Sequence, residues 1–171
     1  MPSPRVINRR IKSVRNISQV TRAMEMVAAA KMRRAQQATL SSRPYAEKSW
    51  EMLTYLASQP GRSKLLHPLL EERATVKSIL LILITADRGL CGAYNMNIMR
   101  SALDFAARQD KPVRFVTVGR RGSSLAARLG KEIIANFEGL SERPAILDIG
   151  PIAKIAIDEF KQGRADEVYI A

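Results

Sequence analysis

One cysteine, one histidine and no glycine before Gly61 set the first limits on this 171-residue chain. Cys91 alone excludes an internal disulfide, and His67 alone excludes a multi-histidine metal site or a His-based relay. No apolar run approaches the roughly 18 residues that a membrane-crossing helix needs, and the start, MPSPRVINRR, has no apolar signal core. These absences lead to the expectation of a soluble chain in a reducing cytoplasm. Acids are unevenly scarce. Up to Lys48, eleven lysines and arginines face only Glu25 and Glu47, so that +9 of the +12 net charge lies there. Such a field implies an acidic partner: nucleic acid, anionic lipid or an acidic protein surface.

What the first segment does contain is helix-forming. Ala, Met, Arg, Lys and Gln dominate, and the only proline between Arg5 and Trp50 is Pro44. The spacing predicts a long helix, Ser3 to about Gln59, that ends, kinks or bends near Arg43, because Pro44 lacks an amide donor. Tyr45 to Ser58 then continues with Trp50, Leu53 and Leu56 at helical spacing. Large apolar residues fall at Ile7, Ile11, Val14, Ile17, Val20, Met24 and Val27, a coiled-coil-like seam expected to twist left-handedly around a partner helix. Beyond Val27 the seam turns small, with Ala28, Ala29, Ala30, Ala35 and Ala38. An amphipathic helix usually lies on its own domain's core. Here about 50 residues at ~1.5 Å each would span roughly 75 Å, too long for that. The cations Arg9, Arg10, Lys12, Arg15, Arg22, Lys31, Arg33 and Arg34 spread around the helix rather than forming one stripe. A groove-binding helix would concentrate them. Spreading suits a shaft enclosed on several sides by protein, which makes these residues candidate partner contacts.

Residues 60–76 carry Pro60, Gly61 and Pro68 among charges and read as a linker between the helical stalk, 1–59, and a domain at 77–171. There the period changes. SILLILIT (Ser78 to Thr85) is a strand buried on both faces, and VRFVTV (Val113 to Val118), EIIANF (Glu132 to Phe137) and DEVYIA (Asp166 to Ala171) are further strands. Helical windows lie between them at Ala93 to Arg108, Gly122 to Leu129 and Pro151 to Gln162. This alternation specifies an α/β fold: a long N-terminal coiled-coil helix, then a Rossmann-like domain with a mainly parallel sheet. The chain stops inside its fourth strand, which leads to the expectation of an incomplete domain.

TADRGLCGAYN (Thr85 to Asn95) sits where strand meets helix, the ligand position of doubly wound domains. Gly89 and Gly92 match neither the dinucleotide spacing nor a Gly-Lys-Ser/Thr ending, so no cofactor is expected. The loop reads as tightly shaped, with Asp87 and Arg88 pairing or contacting a neighbour and the glycines relieving backbone strain. Cys91 has no histidine placed to activate it and reads as a tolerated thiol. Gly119 to Gly122 forms a basic turn, read as solvated rather than phosphate-binding. Asp148, Asp158 and Glu159 lack metal spacing.

Three stretches, INRRIKSVRNISQVTRAMEMVAAAKMRRAQQ (Ile7 to Gln37), SSRPYAE (Ser41 to Glu47) and TADRGLCGAYN, give the chain a close resemblance to the gamma subunit of F-type ATP synthases. The resemblance covers essentially all of the sequence. It implies a noncatalytic central shaft, whose N-terminal helix pairs antiparallel with a C-terminal helix inside a ring of alpha and beta subunits. The globular part would touch the epsilon subunit and the membrane ring of c subunits. Proton flow would turn the shaft and drive the beta sites. Met24 matches the family methionine facing an acidic loop of beta, with Lys31, Arg33 and Arg34 near that level. Cys91 falls in the D-R-G-L-C-G motif, close to the surface facing epsilon. The resemblance further implies peripheral attachment at the cytoplasmic face of a bacterial membrane, and no redox cysteine pair is present to suggest a thiol-regulated chloroplast form. Two departures stand out: the C-terminal helix is absent, and Ala93 replaces a residue that is often glycine. The rival readings are a basic-helix nucleic-acid binder with an α/β body, and a small enzyme using the crevice near Asp87 to Gly92.

Overall fold

The computed structural model describes residues 3–58, 67–70, 73 and 75–171, and the chain divides into two units, Met1–Leu56 and Ala57–Ala171. Most of the expected linker, 60–76, lies outside the described residues.

The first unit is one helix, α1 (Pro4–Ser58). Ser3 opens it, its carbonyl accepting from the amides of Val6 and Ile7 at 2.9 and 3.2 Å. The helix does not end at Pro44, which lies inside it. Proline costs one rung, leaving the Leu40 carbonyl without an i+4 donor. Helical geometry on either side survives because only that rung is lost. Hydroxyls on the preceding turn bond backward: Thr39 to the carbonyl of Ala35, Ser41 to Ala38 and Ser42 to Thr39, at 3.0, 2.9 and 3.1 Å. No residue of α1 is buried, and no acid occupies its first turn to balance the positive end of the helix dipole.

The second unit is a four-stranded, fully parallel sheet in the order β3-β2-β1-β4, with β1 (Ile79–Ile84), β2 (Val113–Val118), β3 (Ile133–Phe137) and β4 (Glu167–Ile170). Three helices connect the strands: α2 (Tyr94–Ala107), α3 (Arg120–Arg128) and α4 (Ile146–Lys161). The expected strand and helix order is met. β1 runs in register with β2 from Ile79 opposite Val113 to Ile84 opposite Val118. Between β2 and β3 the register slips after Phe115, where Phe115 faces Ile133 and Val116 faces Ala135. Ile134 is thus one residue too many, a bulge.

Alternation along β1 divides the core. Leu80 and Ile82 join Val116, Val118 and Ile152 on one face. Leu81 and Leu83 join Met99, Ala102, Phe115 and Ala126 on the other. The helices that follow β1 and β2 therefore share one face, while α4 covers the opposite one. A parallel sheet with two greasy faces needs this double cover.

Two helix starts differ from expectation. α4 begins at Ile146, with Pro151 inside it, because the Asp148 carboxylate turns back to accept the Ala145 amide at 2.8 Å and places negative charge in the first turn. α3 begins at Arg120, two residues early, because its first amides are met by a distant loop described below.

Two buried acids brace the amino ends of the strands, Glu159 joining β2 to α4 and Asp166 joining the start of β4 to that of β1. Glu159, 5% exposed, bonds Arg114 at 2.8 Å and Arg164 at 2.6 Å. Asp166 accepts the amides of Lys77 and Ser78 at 2.7 and 3.1 Å. The Arg164 hydrogen bond, reinforced by the Arg114 charge, outweighs burial and holds the Glu159 carboxyl below the usual carboxylate range. The two backbone amides, Lys77 first, do the same for Asp166. A carboxylate whose folded-state pKa is depressed adds stability above its unfolded value, about 4. That stability is lost as pH falls through the folded value. Urea titrations at descending pH should therefore show an acid-side loss of stability that Glu159→Gln flattens. The same substitution should cost about 3 kcal/mol at neutral pH, since it leaves Arg114 and Arg164 without their shared charge partner. An unchanged acid limb would show that the pair carries no linkage.

Candidate functional site

The first amides of any helix have no carbonyl partner within it, and α3 meets this need from outside. Its N-cap is Gly119, at φ 98°. The Arg120 amide donates to Asp87 Oδ1 at 2.9 Å, the Arg121 amide to the Ala86 carbonyl at 3.2 Å, and the Gly122 amide to Thr85 Oγ1 at 2.8 Å. Three consecutive residues after β1 thus cap three consecutive amides after β2. Asp87 goes further, since its Oδ2 accepts the Gly139 amide at 3.0 Å and ties in the loop after β3. One carboxylate holds the carboxyl ends of β1, β2 and β3 together.

This packing demands glycine at both ends of the basic turn. A Cβ on Gly119 would lie 2.1 Å from the Thr85 carbonyl oxygen, and one on Gly122 would lie 2.7 Å from Thr85 Oγ1. A phosphate cradle made from the backbone amides of this turn fails on the same geometry. The amides that would cradle an anion already bind Thr85, Ala86 and Asp87. Asp87 serves as the turn's own anion, and its contacts are with neighbouring backbone rather than with Arg88.

The rest of the loop is held by Asn95. Its Oδ1 accepts the Ala86 amide at 3.0 Å, and its Nδ2 donates to Cys91 Sγ at 3.0 Å. Cys91 is exposed. Gly92 adopts φ 58°, as a glycine can at little cost, but Leu90 does so too, at φ 65° with its side chain 93% exposed. Left-handed backbone at a leucine costs about 1 to 2 kcal/mol. The loop therefore retains strain at Leu90 that its glycines do not relieve.

The other candidate residues lie on α1. Arg9, Arg10, Lys12, Arg15, Arg22, Lys31, Arg33 and Arg34 are all exposed, as are the seam residues from Ile7 to Val27. Among the described residues, Arg9, Arg10, Lys12, Arg15, Arg22, Arg33 and Arg34 have no carboxylate within ion-pair distance, whereas Lys48 pairs with Glu51 at 2.6 Å. Met24 is 50% exposed. The clamp residues Thr85, Gly119, Gly122 and Gly139 were not singled out as functional from sequence. A threonine at the end of the expected strand and two glycines three apart were the available signals.

Comparison with known proteins agrees with this architecture. A family model described as ATP synthase matches residues 3–171. The ATP synthase gamma chain of Dehalococcoides mccartyi strain 195 is 46% identical over 171 residues, all of this chain and 60% of the relative. That of Desulfitobacterium hafniense is 44% identical over 170 residues, 99% of this chain and 59% of the relative. This chain thus spans about three fifths of the length of the curated relatives it matches. Among solved structures, a chain from the central stalk and c-ring portion of the Tetrahymena thermophila mitochondrial ATP synthase matches with TM-score 0.66 and 26% identity, over 88% of this chain and 63% of that one.

Replacing Asp87 with alanine removes the acceptor for two amides and should destabilise the α/β unit by about 2 kcal/mol in urea titration, with Asp87→Asn losing less. Hydrogen exchange should accelerate at the Arg120 and Gly139 amides. Unchanged protection at both would show that the clamp is dispensable.

Proposed function

The chain belongs to the ATP synthase gamma family, and from that membership we propose that it serves as the central shaft of a proton-translocating rotary ATP synthase, coupling rotation to ATP synthesis in partner beta subunits. The observation that carries this reading is α1: 55 residues of continuous helix without one buried side chain, and an apolar seam left open along it. Helices in water depend on burial of an apolar stripe more than on propensity. A seam this long calls for other polypeptide around it.

In this reading α1 turns inside a ring of alpha and beta subunits, with its spread cations facing acidic groups in several directions. Met24 meets an acidic loop of beta. Its flexible, uncharged thioether slides past carboxylates that would hold a lysine. The α/β unit meets epsilon and the c ring, with Asp87, Arg88 and Cys91 in the contacting loop. The chain itself is noncatalytic, and no cofactor is needed for this role. No helix among the described residues is long and apolar enough to cross a membrane, which accords with peripheral attachment at the cytoplasmic face through partners. In this reading the open seam of α1 is covered by the antiparallel partner helix that the resemblance implies.

Affinity purification of the tagged full-length protein from its native membranes should bring down alpha, beta, epsilon and c subunits together with ATPase activity, whereas the protein isolated alone should show none until alpha and beta are added. Recovery with nucleic acid in their place, at physiological salt, would overturn the proposal. In the assembled enzyme, Met24→Lys adds a charge attraction at one rotary angle. Membrane vesicles carrying it should pump fewer protons per ATP hydrolysed, and an unchanged ratio would remove Met24 from the coupling surface.

A further inference from the structure

Between the loop that follows β1 and helix α3 lies a crevice of about 790 Å³. That volume falls in the range of small-molecule sites, roughly 300 to 1,000 Å³. Its walls are strongly cationic. Arg88 stands on the loop side, and Arg121 and Arg128 on the helix side. Seven residues apart, the two helix arginines share one face of α3 at about 10 Å separation along its axis. Ser124 lies between them on that face, its hydroxyl without a hydrogen-bond partner among the described residues. Met96 and Leu125 contribute apolar lining.

The charge here is not neutralised from within. Arg120, also on the wall, is paired with Glu138 at 3.1 Å. Arg88, Arg121 and Arg128 have no carboxylate within ion-pair distance among the described residues. Among the described residues Asp87 is the one acid lining the crevice, and both its oxygens are engaged by backbone amides. The Arg121 guanidinium lies across the loop backbone, with Nη2 3.3 Å from where a Cβ on Gly89 would stand. The glycine keeps that guanidinium close to the loop, so the cations of both walls face one space.

We propose that this crevice binds a phosphate-bearing ligand, gripped by Arg88, Arg121 and Arg128 with Ser124 as a neutral donor. Because the α3 amides are already taken by Thr85, Ala86 and Asp87, recognition falls to side chains. Guanidinium forks match phosphate oxygens bidentately, whereas a carboxylate offers fewer acceptors in one plane. The site shares Arg88 with the loop that the proposed function sets against epsilon and the c ring, but its test uses this protein alone, so the two readings can fail separately.

Site-resolved NMR on the full chain separates this crevice from diffuse attraction to α1. Titration with pyrophosphate at physiological salt should give saturable shifts at residues 88–92 and 121–128, without matching saturation along α1. Arg121→Gln and Arg128→Gln should each weaken binding about tenfold, while Arg100→Gln, on α2 outside the crevice, should not. Vesicles of phosphatidylglycerol against phosphatidylcholine test a lipid source. Retention on the former that requires Arg121 and Arg128, with no response to pyrophosphate, assigns the site to a headgroup. No saturable response to either probe, or binding indifferent to both arginines in variants with unchanged amide spectra elsewhere, overturns the proposal.

Discussion

An α-helix cannot satisfy its own first amides, and the organisation of the α/β unit follows from where α3 finds substitutes. Thr85, Ala86 and Asp87 supply them in consecutive order. This supply requires β1 and β2 to end level, and their register has Ile84 opposite Val118. It requires Gly119 and Gly122 to lie against Thr85 with no room for a side chain. It also fixes the Asp87 carboxylate where its second oxygen reaches the loop after β3. The loop between Arg88 and Gly92 is thereby anchored at its base by Asp87 and farther along by Asn95. That support is what can sustain a leucine in a left-handed conformation.

The helical unit obeys a different rule. Its stabilising face is not enclosed, since the large apolar residues from Ile7 to Val27 are each between two fifths and two thirds exposed. Seven cations without carboxylate partners among the described residues keep the exposed seam from resembling an ordinary hydrophobic patch. The α/β unit buries its apolar residues on two faces of one sheet. α1 keeps its own open to solvent. That contrast within one chain is the physical basis for reading α1 as an element completed by other polypeptide.

Much of this was legible in the residues, for reasons that vary by element. SILLILIT could be read as a central strand because both of its faces are buried, leaving no polar alternation to confuse with helix. The seam could be read because α1 is regular for many turns and period accumulates with length. Helix starts were less legible. The acceptors for α3 lie more than thirty residues upstream of it, and no local pattern can reveal a cap supplied across space. Pro151 suggested a beginning, whereas Asp148 had already made one. In the candidate loop, the spacing of Gly89 and Gly92 does not match a nucleotide fingerprint. The actual work of Asp87 was hidden, since a carboxylate bonded to two backbone amides looks in sequence like any acid beside an arginine.

Pro44 carries a mechanical implication. With no amide at that position, the Leu40 carbonyl has lost its rung, and three hydroxyls on the same turn compete for neighbouring carbonyls. A spring wound from identical coils spreads an applied twist evenly, but one thinned coil takes a larger share. α1 thus has a built-in point of compliance some forty residues from its start, where elastic deformation would concentrate before the intact turns on either side yield.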